Sequence, residues 1–414
     1  MKLFKYASDI HSKITGLEPE KKKNLFYICS TLFVLYFSYP LVRATSTAIF
    51  LDAFGAKKSP LVWLLSILVL CVVIFFYNKL QKTKSIHHVF MWTTGISLLI
   101  FTACVLLYTM GFSYAAYPFY IWKEVYIVLV VHSALAYLNT VISYDLAKSI
   151  YGPLGAIGSI GGILGGMATS GLTGNLDLAW IAMLGAVLIM MSGFIFWQTD
   201  KSEKYVTKKD EKVESPLASI SKVGKYIFLI ALVITLTQFC INLANFKFNL
   251  LFDVLVPDKV EKANYLGKVY SLINVVALIM QFVFIPFLFN MFSNKAIHRA
   301  IPFLYFAVGM AGFIFGGGLL LPVAATFIFF KGSDYSLFSA AKELLYFPLN
   351  DKQKYGAKYV VDMLVYRFAK GAISFLLIFV QTENMVNVLL FSSLALWFLV
   401  LIPLFREQKN IFKN

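Results

Sequence analysis

Charged side chains lie inside long apolar stretches of this sequence, and their types point to the binding of an anion. An ionised group in hydrocarbon is costly, so such a side chain pairs with an opposite charge or faces a water-filled cavity. Three acids, Glu124, Asp334 and Asp362, stand in or beside these stretches. The basic residues at similar depth are more numerous: Arg43, Lys123, Lys247, Lys331, Arg367 and Lys370. This surplus of positive charge predicts a cavity that holds an anion.

Arg43 and Lys247 are the strongest candidates for binding that anion. Two apolar runs end in similar pentapeptides, AIFLD at Ala48–Asp52 and NLLFD at Asn249–Asp253. When the two are aligned, Lys247 falls opposite Ser46, three residues from Arg43. Neither cation has an acid four residues away on its own helix, where a local ion pair would form. We therefore predict that corresponding helices of two related halves each contribute one substrate-binding cation.

Four amide side chains accompany Lys247 in the same apolar run. Gln238, Asn242, Asn245 and Asn249 are spaced by 4, 3 and 4 residues, which places them on one face of a helix. Amides in membrane helices also bond neighbouring helices, and that is the alternative interpretation. We predict that this face forms the wall of the cavity and orients the substrate.

Further basic residues occur in the last third of the chain. Lys331 and Asp334 are three residues apart, and Asp362, Tyr366 and Lys370 share one helical face. These charges could lock helices to each other instead of binding substrate. Both interpretations stay open for the remaining substrate-binding candidates, which are Lys331, Arg367 and Lys370.

Three titratable residues are candidates for proton coupling. Asp334 and Asp362 are acids within apolar runs, and His132 lies in the middle of another run. Histidine changes charge near neutral pH, which suits a proton relay. The alternative for His132 is a structural hydrogen-bond donor.

A short motif occurs twice and indicates two related halves. Ala147–Leu154 reads AKSIYGPL, and Ala341–Leu349 reads AKELLYFPL, each at the junction between two apolar runs. Internal duplication of this kind is typical of secondary transporters. We expect the lysines of the two copies, Lys148 and Lys342, to act in gating or packing.

Glycines follow the first copy of the motif at helical spacing. Gly158, Gly162 and Gly166 are four residues apart, which lets two helix backbones approach closely. We predict that these glycines form a packing seam between moving helices.

Composition identifies the class of protein. Hydrophobic residues make up 59% of the 414 residues, charged residues 14%, and mean hydropathy is +0.75. A soluble chain carries about 25% charged residues. Runs long enough to cross a bilayer predict an all-α membrane protein of twelve transmembrane helices in two six-helix halves. They lie at residues 25–50, 60–78, 89–109, 119–143, 152–172, 178–197, 225–252, 267–290, 299–317, 319–338, 359–380 and 385–405.

The predicted domains follow from these runs. A cytoplasmic tail over residues 1–24 precedes an N-terminal half over 25–197. Two interpretations stay open for residues 3–17 of the tail, an amphipathic helix on the membrane face and a partly ordered segment. A linker over 198–224 leads to the C-terminal half over 225–405 and a tail over 406–414. The first apolar run is too long for the core of a cleavable signal peptide, so we expect it to stay in the protein.

Loop charge gives the orientation in the cytoplasmic membrane. Most of the 37 lysines and arginines fall in the tails and in the loops on the same side as the tails. Positive loops stay in the cytoplasm, so both termini are predicted to be cytoplasmic. The formal net charge of +16 therefore comes mostly from the lysines and arginines that hold these loops and tails on the cytoplasmic side. Nucleic acid is not an expected partner, whereas the lipid bilayer is, and we expect a monomer.

The sequence carries no sign of an enzyme, a cofactor or a metal site. It lacks a GxxxxGK[ST] loop, a cluster of metal ligands and a nucleophile–base pattern. The four cysteines all fall inside apolar runs, where they behave as small apolar side chains.

Several stretches resemble the ATP/ADP translocase family of nucleotide transporters and its bacterial relatives. They are spread over nearly the whole chain: Gly16–Lys23, Pro40–Gly55, Asp145–Gly166, Ile241–Asn249 and Asp334–Pro348. The resemblance implies the major-facilitator fold, with two six-helix halves around a central cavity. It also implies exchange of ATP for ADP, or uptake of nucleotides with protons.

The resemblance is incomplete at particular positions. Arg43 fits the basic position of the family's first helix, and Lys342 fits the lysine of its late Lys-Glu pair. The family typically has an acid and then a lysine where this chain has Asn245 and Asn249. It also tends to read Asp-Pro-Thr where residues 339–341 read Ser-Ala-Ala.

Together, residues and resemblance predict a secondary transporter that moves a nucleotide or another phosphorylated or organic anion by alternating access. Two alternatives remain. One is a proton-coupled transporter of another small solute, and the other is a non-transporting receptor or assembly protein on a transporter scaffold.

Overall fold

A computed structural model describes residues 15–142, 144–201 and 223–411. The predicted amphipathic helix at 3–17 falls almost wholly outside these ranges, as do residues 202–222 of the predicted linker and the last three residues. The described residues form helices and the turns that join them, with no strand among them. The all-α fold predicted from composition is confirmed.

Twelve helical stretches follow one another along the described ranges. The first six are α1 (Pro19–Phe54), α2 (Ser59–Gln81), α3 (Ile86–Thr109), α4 (Ala116–Val141), α5 (Tyr144–Leu172) and α6 (Leu178–Trp197). The other six are α7 (Gly224–Leu255), α8 (Lys259–Met291), α9 (Asn294–Phe315), α10 (320–345), α11 (351–379) and α12 (Glu383–Ile411).

Nine of these stretches, counted over the described residues, are long and apolar enough to cross a membrane. The other three are α5, which is rich in glycine, and α10 and α11, which carry several charged residues. The predicted count of twelve spans thus stays a prediction.

The ends of the helices differ from the ends of the apolar runs. α1 begins at Pro19 instead of near residue 25, and α12 continues to Ile411 instead of ending near residue 405. Hydropathy marks only the part of a helix that lies in hydrocarbon, whereas backbone hydrogen bonds carry the helix on through polar residues. α6 has no such extension and ends where its apolar run ends.

Within the described ranges, four helices contain a π turn: Met280–Phe284 in α8, Met310–Phe315 in α9, Asp334–Phe338 in α10 and Tyr359–Val365 in α11. A π turn has i→i+5 hydrogen bonds, so it shifts which side chains share a face, and such turns are frequent at functional sites. Two of the predicted acids, Asp334 and Asp362, lie within π turns.

The chain forms two compact units. Unit 1 comprises Met1–Ala53, Leu68–Lys209 and Asp258–Ser271, so the first part of α8 packs with the N-terminal helices. In its core, the Phe90 and Phe196 rings stack with centroids 4.2 Å apart, and the His87 and Tyr137 rings pack beside them. This cluster joins α3, α4 and α6.

Unit 2 comprises Phe54–Ile67, Asp210–Pro257 and Leu272–Asn414, so the first part of α2 packs with the C-terminal helices. α7 is the most enclosed of the candidate spans in the described chain, and α10, α11 and α12 pack against it. The Asp253 carboxylate at the end of α7 accepts a hydrogen bond of 2.8 Å from the Ala56 amide. The aspartate of the second pentapeptide thus fixes the turn that precedes α2.

Candidate functional site

Lys247 is a buried cation in the middle of α7. Its side chain is almost completely enclosed, and Nζ donates to the Phe313 carbonyl oxygen at 3.0 Å and to Asn387 Oδ1 at 2.8 Å. The same ammonium lies 5.0 Å from the centre of the Phe313 ring. Within the described residues no carboxylate comes within 4.0 Å of this ammonium. Its direct contacts are neutral oxygens and a ring face, and the nearest acid that acts on it electrostatically, Glu383, lies beyond salt-bridge distance.

The amide stripe of α7 divides into two parts. Gln238 Nε2 lies 3.4 Å from Asp334 Oδ1, and Asn242 Nδ2 donates to the Gln238 carbonyl oxygen of its own helix at 2.8 Å. Asn249 is buried and Asn245 is half-buried, one on each side of Lys247 in sequence. Gln238 thus bonds a neighbouring helix, as the alternative interpretation proposed. A substrate-orienting role for Asn245 and Asn249 stays a prediction.

Arg43 lies half-buried in α1, on the faces of two tyrosines. Its guanidinium carbon is 4.0 Å from the centre of the Tyr270 ring and 5.5 Å from that of Tyr39. Tyr270 belongs to the part of α8 that packs in unit 1. Aromatic faces attract a guanidinium and fix its plane. The sequence did not predict the contact with Tyr270, because Arg43 and Tyr270 are 227 positions apart and helical spacing relates only near neighbours in the chain.

Lys123 is a second enclosed cation of unit 1, and the sequence placed it only at the edge of a span. It is 1% exposed, donates to Thr47 Oγ1 at 2.9 Å and lies 3.4 Å from the centre of the Tyr120 ring. Glu124 Oε1 is 3.5 Å from its Nζ. This cation therefore has an acid beside it, in contrast to Lys247.

A polar cluster in unit 2 centres on Asp334. The Asp334 carboxylate lies 3.3 Å from Lys331 Nζ, and the Tyr366 hydroxyl donates to it at 3.5 Å. The predicted pairing of Lys331 with Asp334 is thus present. A cavity of about 200 Å³ adjoins the cluster and is lined by Ile234, Asp334, Tyr335, Phe338, Ser339, Lys342 and Tyr366.

Asp362 does not pair as its helical spacing suggested. It accepts from Lys342 Nζ at 2.8 Å and from the Tyr346 hydroxyl at 3.1 Å, so it joins α11 to α10. The expectation of a partnership with Lys370 was wrong, because the π turn at Tyr359–Val365 rotates Asp362 away from the face that an α-helix would give it. Lys370 and Arg367 both lie half-buried farther along α11.

The histidines are arranged differently from the expectation. His132, the predicted relay, is exposed on α4. The enclosed histidines of the described chain are His87, which bonds Thr199 Oγ1 at 2.8 Å, and His298, which bonds the Ala341 carbonyl oxygen at 2.9 Å. Both histidines lie just before a predicted apolar run, so the sequence did not indicate that they are buried.

The glycines of α5 face two neighbours. A Cβ at Gly158 would meet the Tyr36 ring of α1 at 3.0 Å, and a Cβ at Gly166 would meet the Gly267 carbonyl oxygen of α8 at 2.6 Å. Gly162 is buried between them. The closest backbone approach to α1 is made by Gly161 and Gly165, which the four-residue row did not include. Lys148 is the one predicted packing residue whose side chain lies outside the part of the chain that the structure describes.

The described residues contain no group of three or more His, Cys, Asp or Glu side chains that could hold a metal ion.

Known proteins resemble this chain over most of its length. The profile of the TLC ATP/ADP transporter family matches residues 102–407. ADP,ATP carrier protein 3 of Rickettsia bellii (strain RML369-C) is 23% identical over 474 residues, which cover 92% of each chain. The chloroplastic ADP,ATP carrier protein 1 of Arabidopsis thaliana is 22% identical over 428 residues, covering 85% of this chain and 67% of that protein.

The fold is shared with solved transporters. A bacterial homologue of the iron transporter ferroportin superposes with a TM-score of 0.66 at 14% identity, over 93% of this chain and 99% of that one. The likeness shows a fold of the major-facilitator type, as predicted. Since the family profile covers well over half of the chain, this protein belongs to the TLC ATP/ADP transporter family.

Proposed function

We propose that this protein is a secondary transporter that moves a nucleotide or another phosphorylated anion across the cytoplasmic membrane by alternating access. The observation that carries the proposal is the environment of Lys247. A buried ammonium among neutral oxygens keeps its charge available to an anion, whereas a salt bridge would neutralise it. Transport of nucleotides across a membrane is also the activity to which the family points.

Arg43 is the second proposed substrate-binding cation. The guanidinium carries five donors in a planar fork that matches the oxygens of a phosphate group. Tyr39 and Tyr270 hold that plane by stacking, which reduces the conformational freedom lost when the substrate binds.

The names of the relatives and two amides beside Lys247 bear on which phosphorylated anion is carried. The relatives in Rickettsia and Arabidopsis are named as ADP,ATP carriers, which favours an adenine nucleotide. This chain, however, has amides at Asn245 and Asn249, where the family typically has an acid and a lysine. Because these residues flank Lys247, they favour a substrate that differs from ATP or ADP in charge or in size.

Two acids, the buried Asp334 and the half-buried Asp362, are proposed to act as locks between helices. Asp334 connects α10 to α7 and α11 through Gln238 and Tyr366, and Asp362 connects α11 to α10 through Lys342 and Tyr346. An ion pair that must break when helices move sets a barrier between two conformations. Proton coupling through Asp334, Asp362 or His132 is the alternative, and the pH dependence of transport separates the two roles.

The experiment that tests the function is a ligand screen followed by a flux measurement. Purified protein is heated with nucleotides, sugar phosphates and carboxylates, because a ligand present at 100 times its Kd stabilises the folded state by about 2.7 kcal/mol. The stabilising compound is then supplied to proteoliposomes, with and without the same compound inside. Uptake that depends on internal substrate supports exchange. Binding without flux would instead support a receptor on a transporter scaffold.

A further inference from the structure

An apolar groove opens on the outside of unit 1 and has no part in the proposed substrate site. It has a volume of about 440 Å³ and lies among α2, α3 and α4. Its floor is a buried cluster that includes Tyr77, Val89 and Leu129. Its walls include the large side chains of Phe76, Trp92, Ile96 and Trp122, and three of these (Phe76, Trp92 and Ile96) are substantially exposed.

The mouth of the groove is basic. Lys79 and Thr83 line the groove at the end of α2, and the Lys84 ammonium lies 5.8 Å from the centre of the Trp92 ring. Lys82 is exposed in the same turn, and residues 79–88 contain no acid. None of these lysines has a carboxylate within salt-bridge distance in the described chain. An apolar channel that ends in several uncompensated lysines complements an amphiphile with an anionic head.

The groove fits within one leaflet of a bilayer. Its lining on α2 runs from Val73 to Leu80, seven residues or roughly 10 Å at about 1.5 Å per residue. That is less than half of the hydrocarbon thickness of about 30 Å. Tryptophans such as Trp92 are typical of the depth at which headgroups meet hydrocarbon.

We propose that this groove binds one anionic phospholipid of the cytoplasmic leaflet. Its acyl chain lies along Trp92, Ile96 and Trp122, and its phosphate contacts Lys79 and Lys84. Each lysine near an anionic headgroup strengthens binding about fivefold, which corresponds to roughly 1 kcal/mol. The double variant Lys79→Gln/Lys84→Gln is therefore expected to bind the lipid about 25-fold more weakly.

The test measures retained lipid by native mass spectrometry and the melting temperature of the full chain in detergent. Phosphatidylglycerol is compared with phosphatidylcholine of the same acyl chains and with inorganic phosphate. We expect one retained phosphatidylglycerol and a raised melting temperature, and little effect of the other two. Lys295→Gln, which removes an exposed lysine from the start of α9, is the matched control and keeps the lipid.

A second variant tests the groove itself. Ile96→Trp fills the channel and leaves the lysines in place, so it is expected to reduce retention of phosphatidylglycerol while the basic mouth stays intact. The proposal is overturned if phosphatidylcholine binds equally well, if phosphate alone reproduces the stabilisation, or if the double lysine variant or folded Ile96→Trp retains phosphatidylglycerol like the unmodified protein.

Discussion

Removal of the Asp334 carboxylate is expected to destabilise the protein strongly. This carboxylate is 5% exposed and lies 3.3 Å from the Lys331 ammonium, with longer contacts of 3.4 Å from Gln238 and 3.5 Å from Tyr366. Removing one partner of a buried ion pair costs about 3–5 kcal/mol. The contacts are at the long end of hydrogen-bond distances, and Lys331 is 15% exposed. We therefore expect about 3 kcal/mol for Asp334→Asn.

A double-mutant cycle measures the part of this loss that belongs to the pair. The free energy of unfolding in detergent is compared for Asp334→Asn, Lys331→Gln and the double variant. Groups in contact couple by about 0.5–3 kcal/mol, and we expect a value in the upper half of that range. The control is Glu343→Gln, whose partner Lys358 is closer, at 2.6 Å, yet both side chains are more than 40% exposed. Solvent screening limits that loss to about 1 kcal/mol or less.

The outcome of the cycle is decisive for this pair. If the two single changes add within about 0.5 kcal/mol, Lys331 and Asp334 do not stabilise each other. If Asp334→Asn is as stable as the unmodified protein but transport loses its pH dependence, Asp334 carries protons and does not lock α10.

Two further predictions concern packing and topology. Gly165→Ala places a Cβ against the Phe37 carbonyl oxygen and should cost about 1–3 kcal/mol in thermal unfolding, whereas Gly171→Ala, with open space around it, should have little effect. Equal stability of the two variants would show that α5 does not press against α1 there. A tag inserted in residues 198–224 should be cytoplasmic and one at Asp258 external, as measured by labelling intact cells. Labelling of both from one side would contradict the predicted orientation.

The fold was largely predictable because length and hydropathy determine which segments cross a bilayer. The apolar run at 178–197 has the same bounds as α6, and each of the other predicted runs corresponds to a helix of the structure. The discontinuity of the two units was not predictable. It arises from the packing of Phe54–Ile67 and Asp258–Ser271, and hydropathy carries no information about packing partners.

The site was predictable where pairing is local and unpredictable where it is distant. Lys331 and Asp334 meet because three residues separate them on one helix. Asp362 pairs with Lys342 instead of Lys370, because the π turn at Tyr359–Val365 changes which side chains share a face of α11. No pattern of residues in the sequence predicts that turn. The neutral partner of Lys247, Asn387, lies 140 residues away.

The glycines of α5 also show that sequence spacing does not identify packing partners. The row Gly158, Gly162 and Gly166 has regular spacing, but Gly158 faces α1 and Gly166 faces α8. Close approach to α1 is made by Gly161 and Gly165, since the side chains of α1 determine which glycine is needed. The spacing pointed to α5, whereas the residues of α1 and α8 determine which of its glycines face each neighbour.

The most direct test of the central claim is the affinity of Arg43→Gln and Lys247→Gln for the compound found in the ligand screen. Loss of one charge-assisted contact to a buried anion costs about 2–5 kcal/mol, so each variant should raise Kd at least about 30-fold while remaining folded. Arg43→Lys should recover only part of the affinity, because a lysine cannot make the two-pronged contact. The exposed-lysine variant Lys295→Gln should bind normally. Unchanged Kd in both glutamine variants would contradict the assignment of an anion to these two cations.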